Sequence, residues 1–189
     1  MAWFSAGIET MDELFIHGLH DIYYAERRIE KALPGMAAKA SDAELKRAFR
    51  KHLAETKGQI KRLDRVFKLI EREPEGTKCP AIDGILEEAN EIAGDVEDRM
   101  VLNAALIAAA QAVEHYEMTR YGALVAWARA LGRADIARLL AQNLKEEKAT
   151  DTKLNGMAKR KINRKAAMRK RRKKPQTDML DVLAGIPAI

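Results

Sequence analysis

Leu19-His-Asp-Ile22-Tyr-Tyr-Ala-Glu26-Arg-Arg-Ile29-Glu-Lys-Ala-Leu33 decides how the chain folds. Leu19, Ile22, Glu26, Ile29 and Leu33 follow one another at alternating steps of three and four residues, which places them on one stripe of an α-helix. Four of the five are aliphatic, so Glu26 points where its neighbours bury. Three further segments repeat the pattern. The second reads Leu45, Phe49, His52, Glu55, Gln59, Leu63, Val66; the third Leu106, Ala110, Val113, Glu117, Tyr121, Leu124; the fourth Leu140, Leu144, Glu147, Asp151, Leu154, Ala158. Each apolar seam is interrupted by acid. Burying several ionised carboxylates in one core costs several kcal/mol per ion unless protons or cations neutralise them.

Position along the chain brings these acids to one level. An Ala-Ser-Asp break at residues 40 to 42 separates the first two helices, with Glu26 about as far before it as Glu55 lies after. Glu117 and Glu147 flank Gly132 in the same way. At ~1.5 Å rise per residue both pairs sit roughly 22 Å from their own turn. A long connection running the length of the bundle would put the turns at opposite ends and all four carboxylates in one layer. The expected fold is therefore all-α: a four-helix bundle with a long crossover that contains a short helix.

Composition agrees. The 189 residues are 47% hydrophobic but only 5% aromatic, which favours helices over sheet, and no strand pattern competes. The longest nearly apolar run, Val101 to Val113, is too short for a bilayer, which needs about 20 residues. The N-terminus lacks a basic segment followed by an apolar one, and Cys79 is the only cysteine; both point to a cytoplasmic protein without disulfides. The net charge of +6 is unevenly spread: residues 159–174 hold eleven Lys and Arg, whereas residues 1–158 hold 23 basic and 26 acidic residues. We read residues 1–158 as the helical bundle and 159–189 as a disordered tail, first basic and then apolar.

The helices are expected from about Glu9 to Ala40 (N-cap Thr10 or Ser5, with a kink at Pro34-Gly35), from Ser41-Asp42 to Glu73, from Asp95 to Leu131 and from Arg133 to about Lys159. A short helix over Ala81 to Ala93 lies in the crossover. Ser41 with Glu44 three residues on fits a capping box for the second helix.

Bundles of the ferritin-like di-iron type take a Glu from each of two helices and a Glu-x-x-His from each of the other two. Here the residues three after Glu55 and Glu147 are Gly58 and Thr150, so the histidines are missing. His52, Gln59 and Asp151 stand on the inward faces instead, and Glu114 with Glu117 makes a Glu-x-x-Glu pair on the third helix. Oxygen-rich ligands with one nitrogen suit Fe or Mn.

The segments Leu19-His-Asp-Ile-Tyr-Tyr-Ala-Glu26, His52-Leu-Ala-Glu-Thr-Lys-Gly-Gln-Ile-Lys-Arg-Leu63, Lys78-Cys-Pro-Ala-Ile-Asp-Gly84, Ala109-Ala-Gln-Ala-Val-Glu-His-Tyr-Glu117 with Tyr121-Gly122, and Glu146-Glu-Lys-Ala-Thr-Asp-Thr-Lys-Leu154 resemble the YciF-like ferritin-like family of bacterial stress responses. The resemblance covers Thr10 to Ala158. It implies a rubrerythrin-like bundle that forms a homodimer, a centre of two metal ions and no settled reaction. Rubrerythrin-like sites also use an inward Glu-x-x-Glu, which extends the ligand set to both Glu114 and Glu117.

The expected ligands are thus Glu26, Glu55, Glu114, Glu117 and Glu147, with His52, Gln59, Asp151 and Tyr24 as additional or supporting groups. The ions are Fe or Mn, with Zn as a stand-in in crystals. Such a centre would handle iron, dioxygen or peroxide under stress, as a ferroxidase- or peroxidase-like oxidoreductase. The alternative is a non-catalytic binding or scaffold protein whose acidic layer holds protons instead. In the tail, Arg169, Lys170, Arg171, Arg172, Lys173 and Lys174 would meet nucleic acid without sequence preference, since no aromatic residues are interleaved to stack on bases. Residues 179–189 are apolar enough to dock a protein partner.

Overall fold

The computed structural model describes residues 7–169. Helix α1 spans Met11–Lys39, α2 Ala43–Leu69, α3 Pro80–Asp95, α4 Arg99–Ala130 and α5 Ala134–Met157. A π-helical turn at Ala158–Ile162 then leads into the short α6, Asn163–Ala167. Helices α1 and α2 pack as one hairpin and α4 and α5 as another, while α3 lies across α1 and α4. No strand occurs among the described residues.

Local chemistry sets the boundaries. Thr10 caps α1 through a capping box: its hydroxyl accepts from the Glu13 N–H while the Glu13 carboxylate reaches back to the Thr10 N–H. The start of α2 corrects the expected Ser41 box. Asp42 is the cap, accepting from the N–H groups of Glu44 and Leu45, and the Ser41 N–H instead donates to Asn103 Oδ1 at 2.9 Å. Asp98 caps α4 in the same manner. Gly132, at φ 73°, closes α4 in the left-handed region that a side chain disfavours. Helix α3 runs on to Asp95, past its expected end at Ala93, so the third long helix starts at Arg99 instead of the expected Asp95, and α1 continues through Pro34.

The Ser41–Asn103 contact puts the α1–α2 turn beside the start of α4. Arg133 Nη2 donates to the Leu69 carbonyl at 2.9 Å, which puts the α4–α5 turn beside the end of α2. The two hairpins therefore turn at opposite ends of the bundle. The crossover between them is pinned to α1: His20 Nδ1 meets the Glu75 carbonyl, the Tyr24 hydroxyl donates to Asp83 (2.8 and 3.1 Å), and Arg28 pairs with Asp83 at 2.8 Å. A Cβ on Gly76 would come within 3.1 Å of Tyr24 Cα, so only glycine lets the crossover lie this close to α1.

The helical region runs past Ala158, where the tail was expected to begin. Ala158 and Ile162 are buried, and the π turn brings Lys161 to Asp42 and Arg160 to Glu44. Arg169 pairs with Asp98 at 2.8 Å. Lys170, Arg171, Arg172, Lys173, Lys174, residues 179–189 and Ser5 lie outside the described residues.

Candidate metal centre

Four helices supply the layer halfway along the bundle. Helix α1 brings Glu26; α2 brings His52, Thr56 and Gln59; α4 brings Glu114, Glu117 and Tyr121; α5 brings Asn143, Glu147 and Thr150. All are buried, and Glu26, Glu114, Glu117 and Glu147 are 0% exposed. One potential ligand atom from each of His52, Glu114, Glu117 and Glu147 lies within 4.8 Å of all the others. The Glu-x-x-Glu spacing explains why α4 gives two acids, since residues three apart lie on neighbouring turns of one face.

The layer is short of hydrogen bonds. Among the described residues nine buried side-chain nitrogen and oxygen atoms have no partner, and every one belongs to Glu26, His52, Gln59, Glu114, Glu117 or Glu147. Folded proteins leave few such atoms, so nine in one layer call for a further occupant, a cation or protons. Apolar layers above and below, from Leu19, Ile22, Ile29, Leu63, Leu124 and Leu140, keep water out.

Desolvation dominates the electrostatics. It pushes the pKa of Glu26 and Glu117 well above the carboxylate range, with repulsion from Glu147 adding to both. Glu114 is pushed up to about 11 by burial and then by Glu147, and Glu147 up to about 7 by burial. Burial and the nearby Lys51 bring His52 down to about 4. His52 Nε2 and Glu114 Oε1, 3.2 Å apart, are thus a neutral imidazole facing a protonated acid when no cation is present; they lack the alignment of a hydrogen bond. A neutral imidazole is the form that can ligate.

Of the expected ligands, the structure brings Glu26, Glu114, Glu117 and Glu147 together, and His52 and Gln59 with them. Gln59 Nε2 donates to Glu147 Oε1. It does not bring Glu55, whose side chain is 21% exposed and pairs with Lys51 at the edge. Asp151 is also outside, accepting from Gln111 Nε2 at 2.9 Å and facing His115. Tyr24 is turned toward Asp83 on the crossover. On both helices the more deeply buried neighbour at the other step of three or four is a threonine, Thr56 beside Glu55 and Thr150 beside Asp151, while Glu55 and Asp151 still act on the charges of Glu147 and Glu114 respectively. Tyr121 and Asn143 join the site in addition to the expected residues. The Tyr121 hydroxyl donates to Glu26 Oε1, and Asn143 Nδ2 donates to the Tyr121 oxygen at 2.8 Å. A tyrosine one turn after the second acid of Glu-x-x-Glu was the available signal.

The sequence matches the model of a family described as "Domain of unknown function (DUF892)" over residues 10–167. The chain belongs to this family. Protein YciF of Escherichia coli (strain K12), a curated relative, is 45% identical over 163 residues, 84% of this chain and 96% of the relative. The DUF892 fold seen here matches the crystal structure of that E. coli stress protein with a TM-score of 0.79, at 44% identity over 82% of this chain and 99% of the other. It matches YcfI of Rhodopseudomonas palustris equally well, TM-score 0.79, at 56% identity over 81% and 98%. A two-domain protein of Anabaena variabilis containing DJ-1/ThiJ/PfpI-like and ferritin-like domains shares the fold alone: TM-score 0.57, 15% identity, 89% of this chain and 41% of that one. This DUF892 chain is thus an all-α, ferritin-like bundle with a buried His and Glu cluster, and none of its helices among the described residues is long and apolar enough to cross a membrane.

Proposed function

We propose that the mid-bundle layer binds two metal ions, Fe or Mn, and that the protein handles iron, dioxygen or peroxide. The observation that carries this is the concentration, among the described residues, of all nine partnerless buried polar atoms in six side chains of one layer. The donors fit the group: Glu26, Glu114, Glu117 and Glu147 supply hard oxygens and His52 a neutral nitrogen. A bound Fe or Mn would supply the one-electron steps that oxygen or peroxide chemistry needs. The chain's own residues desolvate the layer, orient the carboxylates and hold protons on Glu114 until a cation displaces them. The likeness to an E. coli stress protein supports placing this chemistry in stress protection. Assembly as a homodimer belongs to the same reading.

Metal content of the full chain, purified from iron- and manganese-replete cells, tests it. We expect more than one equivalent of Fe or Mn per chain and a melting temperature that rises when either ion is added to chelated protein. Less than about a tenth of an equivalent, without stabilisation, rejects it. The raised pKa of Glu114 favours a second reading, in which protons alone neutralise the layer and the bundle is a binding or scaffold protein, in line with a provisional description of the R. palustris relative as structural. That reading requires the metal-free result.

A further inference from the structure

The nine partnerless atoms are unevenly divided. Both oxygens of Glu114 and both of Glu117 are free, but only Oε2 of Glu26 and Oε2 of Glu147. The other oxygen of Glu26 is occupied by the Tyr121 hydroxyl, and that of Glu147 by the Gln59 amide. We propose that Tyr121 and Gln59 are positioning residues that withhold one oxygen from Glu26 and from Glu147, so that these acids each offer a metal a single oxygen while Glu114 and Glu117 offer two. The inference rests on the metal reading above.

The direction of the Tyr121 bond is fixed from the rim of the bundle. Arg62 has donors only, so its Nε must face the oxygen of the Asn143 amide. That leaves Asn143 Nδ2 to donate to the Tyr121 oxygen at 2.8 Å. With its oxygen engaged as acceptor, the phenol has one proton to give, and Glu26 Oε1 receives it. Arg62 is itself held by Glu146 at the partly exposed rim. Donors thus point inward at every link from Arg62 to Asn143 to Tyr121 to Glu26. Supporting partners of this kind are typically worth about 10- to 100-fold in metal affinity.

The test is titration of the chelated full-length chain with Co2+, whose visible absorption reports its coordination, with helical content followed by circular dichroism. Tyr121→Phe deletes the donor. Asn143→Asp reverses it, because an acid at that place accepts from both Arg62 and the phenol and draws the proton off Glu26. We expect both variants to bind Co2+ about 10- to 100-fold more weakly and to change the absorption band in the same sense. A purely structural tyrosine would not be mimicked by the near-isosteric change at Asn143. If either buried variant fails to fold, Arg62→Met at the rim frees the amide to turn and is expected to give a smaller change of the same sense. Wild-type affinity and spectrum in the folded variants overturn the inference and leave the metal reading standing. No Co2+, Mn2+ or Fe2+ bound by the wild type overturns both.

Discussion

The two hairpins do not contribute alike. The α1–α2 hairpin gives the layer one acid and one imidazole, Glu26 and His52, whereas the α4–α5 hairpin gives three acids, Glu114, Glu117 and Glu147. Counting residues from each turn treats the hairpins as equivalent and levels Glu55 with Glu26, just as it levels Glu147 with Glu117. Depth along a helix follows from such counting, but direction around it does not. On α2, Glu55 and Thr56 are at the same depth within ~1.5 Å, yet a step of about 100° separates them. The structure turns Thr56 inward and leaves Glu55 to Lys51.

The largest expected effect breaks the comparison at its acidic side. Glu117→Ala together with Glu147→Ala should lower bound Fe or Mn below about a tenth of an equivalent with helical content kept, because an ion pair's worth of hard oxygens is lost at once. Glu55→Ala should leave stoichiometry at the wild-type value. Elemental analysis of the two proteins side by side decides the matter, and metal lost with Glu55 would restore the symmetric reading.

Next in size is His52→Ala. It removes the layer's one nitrogen donor and should weaken Mn2+ binding about 10- to 100-fold in a competition titration, while Mn2+ is still bound by the remaining acids.

A pH series on chelated protein sharpens the contrast further. Acids whose folded pKa is raised keep protons that the unfolded chain releases, so stability falls as pH rises from about 4.5, through about 7 for Glu147 and on toward about 11 for Glu114. His52 acts oppositely. Its folded pKa of about 4 lies below the unfolded 6.5, so its contribution is lost as pH falls through that window. With four raised acids against one lowered imidazole, the melting temperature should be higher at pH 6.5 than at pH 8 and should go on rising, somewhat less steeply, toward pH 4.5. Excess Mn2+ should reverse the slope, since metal and protons compete for the same oxygens.

The smallest effect on the layer, none, is expected from removing residues 170–189. The same truncation should weaken sequence-independent binding to duplex DNA. If six of the tail's charges meet phosphates, log affinity should fall with log salt at a slope of about −5 for the full chain and less steeply for the truncated one. Equal binding by both forms would remove nucleic acid from the partners.

Much of this was legible in the sequence. Glu26 stands out because four aliphatic residues share its stripe, and Glu117 because the α4 seam has apolar residues on both sides of it, whereas Glu114 enters through the Glu-x-x-Glu spacing and the resemblance to rubrerythrin-like sites. The ambiguity lay where polar residues filled both choices of a three-or-four step, Glu55 or Thr56 and Asp151 or Thr150, so hydrophobicity could not choose between them. Tyr121 passes for an ordinary seam residue in the sequence, because its hydroxyl's partner Glu26 is 95 residues away. Helical structure continues past the expected start of the tail at residue 159, and Lys161 and Arg160 in the π turn meet Asp42 and Glu44 at the start of α2.

The caps of α2 and α4 each carry two loads. In both Asp42 and Asp98, Oδ1 accepts backbone N–H groups while Oδ2 holds a cation from beyond α5, Lys161 and Arg169 respectively. Arg169, the last described residue, is thereby fixed beside the first turn of α4. Sixteen residues of α4 separate Asp98 from Glu114, about 24 Å along the axis. That is roughly three screening lengths at physiological ionic strength, where the Debye length is ~8 Å. A polyanion gathered in solvent near Arg169 should respond only weakly to whether the buried layer holds protons or metal, so the two affinities should vary nearly independently of each other.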